Sequence, residues 1–311
     1  MKIAITGASG FIGSHLARQL VSDGHSVALI ARGSDQRSRK IIGLKHSEFF
    51  STDLSSEGDL VRAFKGCDAV VHCAGINREI GNQTYERVHV RGTQNACQAA
   101  LLTATRKIIL LSFLRARPDC GSAYHESKWA AEEIVRASGL NYTILKVGVV
   151  YGLGDQMLDH LSHALQTFPV FALVGMKDRT IRPVAVDDLV SILLASLSDR
   201  RLVNKTVAVT GPEELTLGAA AKRVGAVLGK KRPMIPMPLA FHYVLAWIAE
   251  RTMKIPITSV DQVRMLSEGI VQALPACDSL PTDLLPKLSF TTKQIRKGLP
   301  PEATCGCVNL S

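Results

Sequence analysis

Thr6-Gly7-Ala8-Ser9-Gly10-Phe11-Ile12-Gly13 follows the apolar run KIAIT (Lys2–Thr6) and opens a stretch through His15, Leu16 and Leu20 whose spacing predicts a helix. Each glycine in it has a physical reason. Gly7 permits a tight turn, Gly10 lets backbone N–H groups approach a pyrophosphate, and Gly13 lets the helix pack closely on the strand. The helix N-terminus presents its positive end to phosphate. A glycine triplet alone is a weak signal; between the first strand and first helix of a βαβ unit it predicts a bound dinucleotide.

Outward from this stretch, β-branched runs alternate with helical ones. They are HSVALIA (His25–Ala31), a short strand near Phe49, a helix over Gly58–Lys65, DAVVHCA (Asp68–Ala74), a helix over Gln83–Leu102, KIILLS (Lys107–Ser112), a helix over Ser122–Arg136, and YTILKVGVV (Tyr142–Val150). The alternation predicts an α/β Rossmann architecture, a doubly wound parallel sheet with ligands at the carboxyl ends of its strands. Beyond Tyr151, Gln156–Gln166 reads as helix and Phe168–Arg182 as loop, broken by Pro169 and Gly175. Asp187–Leu197 (helix) and Lys205–Thr210 (strand) rejoin the sheet. Helices near Leu217–Leu228, Leu239–Glu250 and Ser259–Ile270 form a smaller, mostly helical C-terminal subdomain over the strand ends. The expected division is 1–154 plus 181–212 for the dinucleotide domain and 155–180 plus 213–311 for the substrate-side subdomain.

The 311 residues, 46% hydrophobic and 21% charged, suffice for one large core or two joined ones, which excludes disorder and a disulfide scaffold. Lys+Arg 37 against Asp+Glu 27 gives +10 and favours an anionic partner. The basic residues are scattered without aromatic interleaving, so no nucleic-acid groove is expected. The seven cysteines show no CxxC pair and no Cys/His ligand spacing, an inventory suited to a reducing compartment; Cys305-Gly306-Cys307 reads as tail rather than metal site. The first strand begins at Lys2 without a leader-like segment ahead of it, so the expected localisation is cytoplasmic. The apolar stretch Pro238–Glu250 is short of the ~20 residues that span a bilayer. It reads as a subdomain helix packed on the fold or lining the pocket, in preference to a peripheral (monotopic) membrane contact.

The second strand ends at Ala31-Arg32, where an NAD-selective chain places a carboxylate for the ribose hydroxyls. Arg32 instead can stack on adenine and pair with a 2′-phosphate, and Arg37, Arg39 and Lys40 follow closely. NADP is therefore expected over NAD. Asp53-Leu54 fits an adenine-amino acceptor and its apolar neighbour.

With these residues in place, the chain resembles the short-chain dehydrogenase/reductase superfamily, in its extended or atypical, NAD-dependent epimerase/dehydratase-like branch. The likeness rests on TGASGFIG (Thr6–Gly13), Asp53-Leu54, VVHCAG (Val70–Gly75), VRGTQN (Val90–Asn95), Tyr124-His125-Glu126-Ser127-Lys128, VVYGLGD (Val149–Asp155) and RPVAVDDL (Arg182–Leu189). Within the branch it is similar to the family related to the nucleotide-binding accessory subunit of respiratory complex I, which contains enzymes and cofactor-holding subunits. The resemblance implies a cofactor site of Gly7, Ser9, Gly10, Phe11, Ile12, Gly13, Arg32, Asp53, Leu54, Cys73, Ala74, Gly75, Val147, Tyr124 and Lys128. It also leaves room for a homodimer.

Tyr124 and Lys128, four apart, leave one helix face one turn apart. A free tyrosine titrates near ~10, and a nearby ammonium stabilises its phenolate. Tyr124 then serves as general acid or base beside the nicotinamide, while Lys128 also bonds the nicotinamide ribose. Relatives hold the reacting oxygen with a Ser or Thr just past the preceding strand. Ser112 is the nearest candidate, Phe113 and Leu114 occupy the following positions, and Ser122 is a fallback. His89 stands where relatives carry Asn, and Lys146-Val147 where many carry Arg-Pro. Arg179 and Arg182 are candidates for a substrate phosphate or carboxylate, with surface charge as the equal reading. Asp187 and Asp188 read as helix-start carboxylates rather than metal ligands, and Thr216 as a cap. The expected function is an NADP-preferring oxidoreductase acting on a carbonyl or secondary alcohol. A sugar-nucleotide epimerase/dehydratase and a non-catalytic dinucleotide-holding subunit are the alternatives.

Overall fold

Strands β1 (Lys2–Thr6), β2 (Ser26–Ala31) and β4 (Ala69–His72) are buried along almost their whole length, as strands must be when helices cover both faces of a parallel sheet. The computed structural model describes residues 1–33, 36–252 and 260–300. With β3 (Ser47–Ser51), β5 (Lys107–Phe113), β6 (Asn141–Val147) and the strand Lys205–Val209 they form one seven-stranded parallel sheet. Its order is Lys205–Val209, β6, β5, β4, β1, β2, β3. The order reverses between β1 and β4, which opens a crevice beyond their carboxyl ends.

Helix α1 (Phe11–Ser22) packs Leu16, Ala17 and Leu20 inward. After the single turn α2 (Gln36–Arg39), helices α3 (Glu57–Phe64), α4 (Gly92–Leu102) and α5 (Ala123–Ala137) build one core over the sheet. Phe64, Ala96, Ala100, Ala131 and Val135 meet Val70, Ile108 and Ile144 there. The helix expected over Gln83–Leu102 is broken into a π-helical stretch, Glu86–Arg91, and α4. The α4 junction is tight, since a Cβ on Gly92 would stand 2.6 Å from the Leu54 side chain.

The chain packs as two units, the first made of residues 1–147, 189–209 and 272–285, the second of the rest. The first boundary thus falls at 147/148 rather than 154/155. The chain also returns at 272–285, where Asp278 exchanges backbone hydrogen bonds with Thr206 and Ala208. In the second unit α6 (Gln156–Thr167), and beyond α7 (Val186–Ser198) also α8 (Leu217–Val227), pack around Tyr151, Leu161, Leu165 and Val224. Helices α9 (Leu239–Thr252), α10 (Val260–Glu268) and α11 (Thr292–Gly298) follow, and Ile295 of α11 joins that core. The segment expected as loop at 168–182 contains the strand Phe171–Val174, paired in parallel with Met234–Met237, and the short strand Thr180–Ile181. Short pairings of this kind lack the alternation that marks a strand in sequence. Thr216 caps α8, accepting the Ala219 N–H at 3.1 Å. Asp187 and Asp188 lie in the first turn of α7 and tie it to the C-terminal segment: Asp188 accepts the Lys287 and Leu288 N–H groups, and Asp187 pairs with Lys297. Cys305-Gly306-Cys307 lies outside the described residues.

One polar network fixes β5, β6 and α5 together. The buried Glu132 carboxylate accepts from Ser112 Oγ at 2.5 Å, Lys146 Nζ at 3.2 Å and Arg136 Nη2 at 2.8 Å. Lys146 also donates to the Ala116 carbonyl at 2.7 Å, and the Trp129 ring lies beneath both cations. Removing the carboxylate leaves the buried Lys146 ammonium without its counter-charge. Glu132→Ala is expected to lower stability by about 3–5 kcal/mol in urea unfolding; a loss within the ordinary surface range would contradict this reading of the network.

Candidate active site

The turn after β1 is shaped by close backbone contact. Gly7 has φ +68°, and a Cβ there would stand 2.8 Å from the Ala74 backbone; a Cβ on Gly13 would stand 2.4 Å from the Gly7 carbonyl. Gly10 donates to Gly7 O at 2.9 Å and occupies the N-cap of α1, where no side chain caps the helix. The helix's first N–H groups are thereby left for a phosphate. The cradle fits a dinucleotide pyrophosphate.

One cleft gathers the carboxyl ends of β1 to β4. Of the residues expected to hold the cofactor, Gly7, Ser9, Gly10, Arg32, Asp53, Leu54, Cys73, Ala74 and Gly75 line it. Phe11, Ile12 and Gly13 form the first turn of α1 behind the cradle, and Val147 ends β6, its carbonyl taking the Leu114 N–H. Arg32 is exposed at the cleft, Arg39 and Lys40 are exposed near α2, and the Arg37 side chain lies outside those described. Arg87 was missed in the sequence. It lines the cleft and pairs with Asp53 at 3.1 Å, while the other Asp53 oxygen accepts the Ser55 N–H and hydroxyl. These bonds, the Ser55 hydroxyl foremost, hold the Asp53 carboxyl below its usual range. The expected adenine-amino acceptor is therefore already engaged on both oxygens. No spacing signal connects residues 34 apart.

Two buried histidines stand behind the cleft, and their partners fix their tautomers. Thr93 Oγ1 donates to the His89 carbonyl at 2.5 Å, so it accepts from His72 Nε2 at 3.3 Å, and His72 Nδ1 accepts from Thr6 Oγ1 at 2.8 Å. Burial first, then the Lys128 charge, pushes His72 down to about 3. His89 Nε2 accepts the Ile76 N–H at 3.0 Å, so Nδ1 carries the proton and donates to Ser127 Oγ at 2.9 Å. Ser127 in turn donates to the Tyr124 carbonyl at 3.0 Å. Neutral His89, held well below its usual range chiefly by burial, thus ties the loop after β4 to the first turn of α5.

Tyr124 and Lys128 sit one turn apart on α5, both buried. The Tyr124 ring meets Tyr85 at 5.7 Å, Phe113 at 5.4 Å, His89 and His125 at 5.8 Å, all edge-on. Lys128 Nζ donates to the Leu111 carbonyl at 3.3 Å and would lie 2.9 Å from a Cβ on Gly75, so the ammonium closes on the cleft's glycine. Burial lowers Lys128 to about 8, opposed by Glu132 and Cys73; the half-buried Cys73 thiol is pushed up to about 12.

Neither expected oxygen-holder is placed for that work. Ser112 Oγ donates into the Glu132 network, and Ser122 Oγ serves as the α5 N-cap, accepting the His125 N–H at 3.5 Å. The position that faces Tyr124 is Phe113. Arg179 and Arg182 belong to the second unit. Arg182 Nε donates to Gly211 O at 3.1 Å, and Arg179 Nε is buried with no hydrogen-bond partner among the described residues.

Several known proteins resemble this chain in sequence or in fold. An NAD(P)H-binding family model matches residues 7–155. An uncharacterized Mycobacterium tuberculosis protein is 28% identical over 237 residues, and the chain spans only 24% of its length. The ceramide reductase of Caulobacter vibrioides is 31% identical over 197 residues, 62% of this chain and 60% of that protein. Subunit 9 of the mouse mitochondrial NADH dehydrogenase [ubiquinone] 1 alpha subcomplex is 26% identical over 284 residues, 90% of this chain and 73% of the subunit. UDP-glucuronic acid 4-epimerase from Bacillus cereus, solved with UDP-glucuronic acid and NAD, superposes with TM-score 0.72 at 18% identity over 96% of this chain and 98% of its own. Residues 7–155 thus match an NAD(P)H-binding family model, and the chain shares its Rossmann fold with the NAD-bound UDP-glucuronic acid 4-epimerase.

Proposed function

We propose that the protein is an NADP-preferring oxidoreductase acting on a carbonyl or secondary alcohol, with Tyr124 as proton donor and acceptor and Lys128 as the group that stabilises its phenolate. The observation that carries this reading is the buried Lys128 ammonium, set against Gly75 of the cleft and one helical turn from Tyr124. A nicotinamide held in the cleft would supply the hydride for reduction or take it up in oxidation. In reduction the Tyr124 hydroxyl gives its proton to the substrate oxygen, and Lys128 balances the phenolate left behind; oxidation runs the transfer in reverse. His89 keeps the loop after β4 and the first turn of α5 in register. With Ser112 and Ser122 committed elsewhere, the reacting oxygen lacks a serine donor, a loss of about 3 kcal/mol of barrier lowering by analogy with other oxyanion sites.

A second reading, a dinucleotide-holding subunit without turnover, is favoured by Phe113 at the position where a hydroxyl is expected and by the likeness to the mouse respiratory subunit. An epimerase or dehydratase that returns the hydride to its substrate is the enzymatic variant, supported by the fold neighbours.

Tyr124→Phe is expected to lower turnover about 10²–10⁴-fold over a panel of carbonyl substrates while still binding NADPH. Binding by both proteins with no turnover by either would favour the holding role. Arg32→Asp is expected to shift preference from NADPH towards NADH by ~10-fold or more in equilibrium titrations. Equal ratios before and after would mean that Arg32 does not meet a 2′-phosphate. Lys128 carries a stability signature as well. Its folded pKa of about 8 lies below the ordinary 10.5, so the unfolded chain binds more protons between those values and stability rises with pH across that window. Lys128→Met should therefore be more stable than wild type near pH 7, by at most about 3 kcal/mol, with the gap closing towards pH 10.5. A variant less stable than wild type near pH 7 would contradict the buried, charge-strained lysine.

A further inference from the structure

Helix α9 reverses the pattern of an ordinary surface helix. Its inward side is formed by Ala246 and His242, both buried, while Phe241, Val244, Leu245, Trp247 and Ile248 are each 44–58% exposed. Four of these five follow i, i+3, i+4, i+7 and so form one continuous stripe. Five large side chains about half exposed present roughly 500 Å² of apolar surface, the size of patch that marks an interaction site.

The ends of the stripe are basic. Arg251, in the last turn, lies over the Trp247 ring at 3.9 Å. At the other end Gly175 bonds the Met237 carbonyl and abuts Leu239, which brings Met176, 68% exposed, and the exposed Lys177 beside the start of α9. Asp178, next to Lys177, is occupied in accepting the Gly218 N–H at 3.0 Å. Lys230 and Lys231 are exposed just ahead of the strand that leads into α9. Across Gly229–Lys254 the sequence holds five basic residues and one acidic.

The geometry points to α9 as a peripheral membrane-docking face that lies in the headgroup region of an anionic bilayer. At fourteen residues α9 is about 21 Å long, too short to cross a hydrocarbon core of about 30 Å but suited to lying along it. Trp247 and Arg251 provide the aromatic and basic pair that an interface favours: the ring sits at the acyl boundary and the guanidinium among the phosphates. A second copy of the chain fits less well. A two-fold contact through this stripe sets basic ends of the same sign against each other, and the patch falls short of the ~800 Å² per partner of a standard interface. The stripe on α9 is therefore not the packed or pocket-lining face expected of this segment from its sequence. The inference is independent of the oxidoreductase reading, because none of its residues belongs to the cofactor cleft.

Trp247 is one of two tryptophans, and the other, Trp129, is held by Arg136 and Lys146 in the first unit. The test is co-sedimentation of the purified full chain with vesicles of pure phosphatidylcholine and of equimolar phosphatidylcholine and phosphatidylglycerol, alongside tryptophan emission. The expected result is binding to the anionic vesicles with a blue shift that Trp247→Phe removes. Val244→Glu should weaken that binding ~10-fold or more, Arg251→Glu should weaken it at low salt, and NADPH binding should be unchanged in both variants. No sedimentation with anionic vesicles, or binding indifferent to Val244→Glu, would overturn the proposal. So would concentration-dependent self-association of the wild type abolished by Val244→Glu, which would assign the stripe to a second copy.

Discussion

A single buried ammonium, that of Lys128, sets the terms for the chemistry around it. It rests on the Leu111 carbonyl, and its Nζ lies 2.9 Å from where a Cβ on Gly75 would stand. A charge so placed demands a quiet neighbourhood. His72 and His89 stay neutral, each lowered first by burial and then by the Lys128 charge, and their hydrogen bonds admit one tautomer apiece. Glu132 supplies opposing charge on the same helix, and it in turn is held by Lys146 and Arg136. The neutral histidines follow from burial first and from the Lys128 charge second, and the buried carboxylate opposes that charge.

The register of β5 divides the site. Successive residues on a strand point to opposite sides. Ser112 therefore turns into the Glu132 and Lys146 network, whereas Phe113 meets Tyr124 and His125. A shift of one position exchanges a hydrogen-bonding wall for an apolar one. Tyr124 and Lys128, the proposed proton-transfer pair, stand one turn apart on α5, and the hydroxyl of Ser112 is turned away from them. Phe113 at this position is the observation that favours the holding role as a second reading.

Much of this was legible in the sequence because local constraints fixed it. Gly7, Gly10 and Gly13 marked a close turn because they fall between the first strand and the first helix, and the apolar runs of β1, β2 and β4 marked parallel strands because helical stretches alternate with them. The four-residue spacing of Tyr124 and Lys128 sufficed to put them on one face. The rest depended on residues far apart in the chain. The Arg87–Asp53 pair, the Ser112–Glu132–Lys146 network and the neutral bridge made by His89 join elements that no short-range pattern links. The paired strands Phe171–Val174 and Met234–Met237 were hidden for the same reason, and the outward apolar face of α9 because a single helix's periodicity does not say which side is covered.

The proposed role of Lys128 as a cation, stabilising the Tyr124 phenolate and bonding the nicotinamide ribose, is tested most directly by the affinity for NADPH as a function of pH in wild type and Lys128→Met. If the charged lysine holds the cofactor, wild-type affinity falls as pH rises through about 8 and the variant binds more weakly with no such step. Affinity that does not change through that range in the wild type, or an identical fall in the variant, would contradict the account.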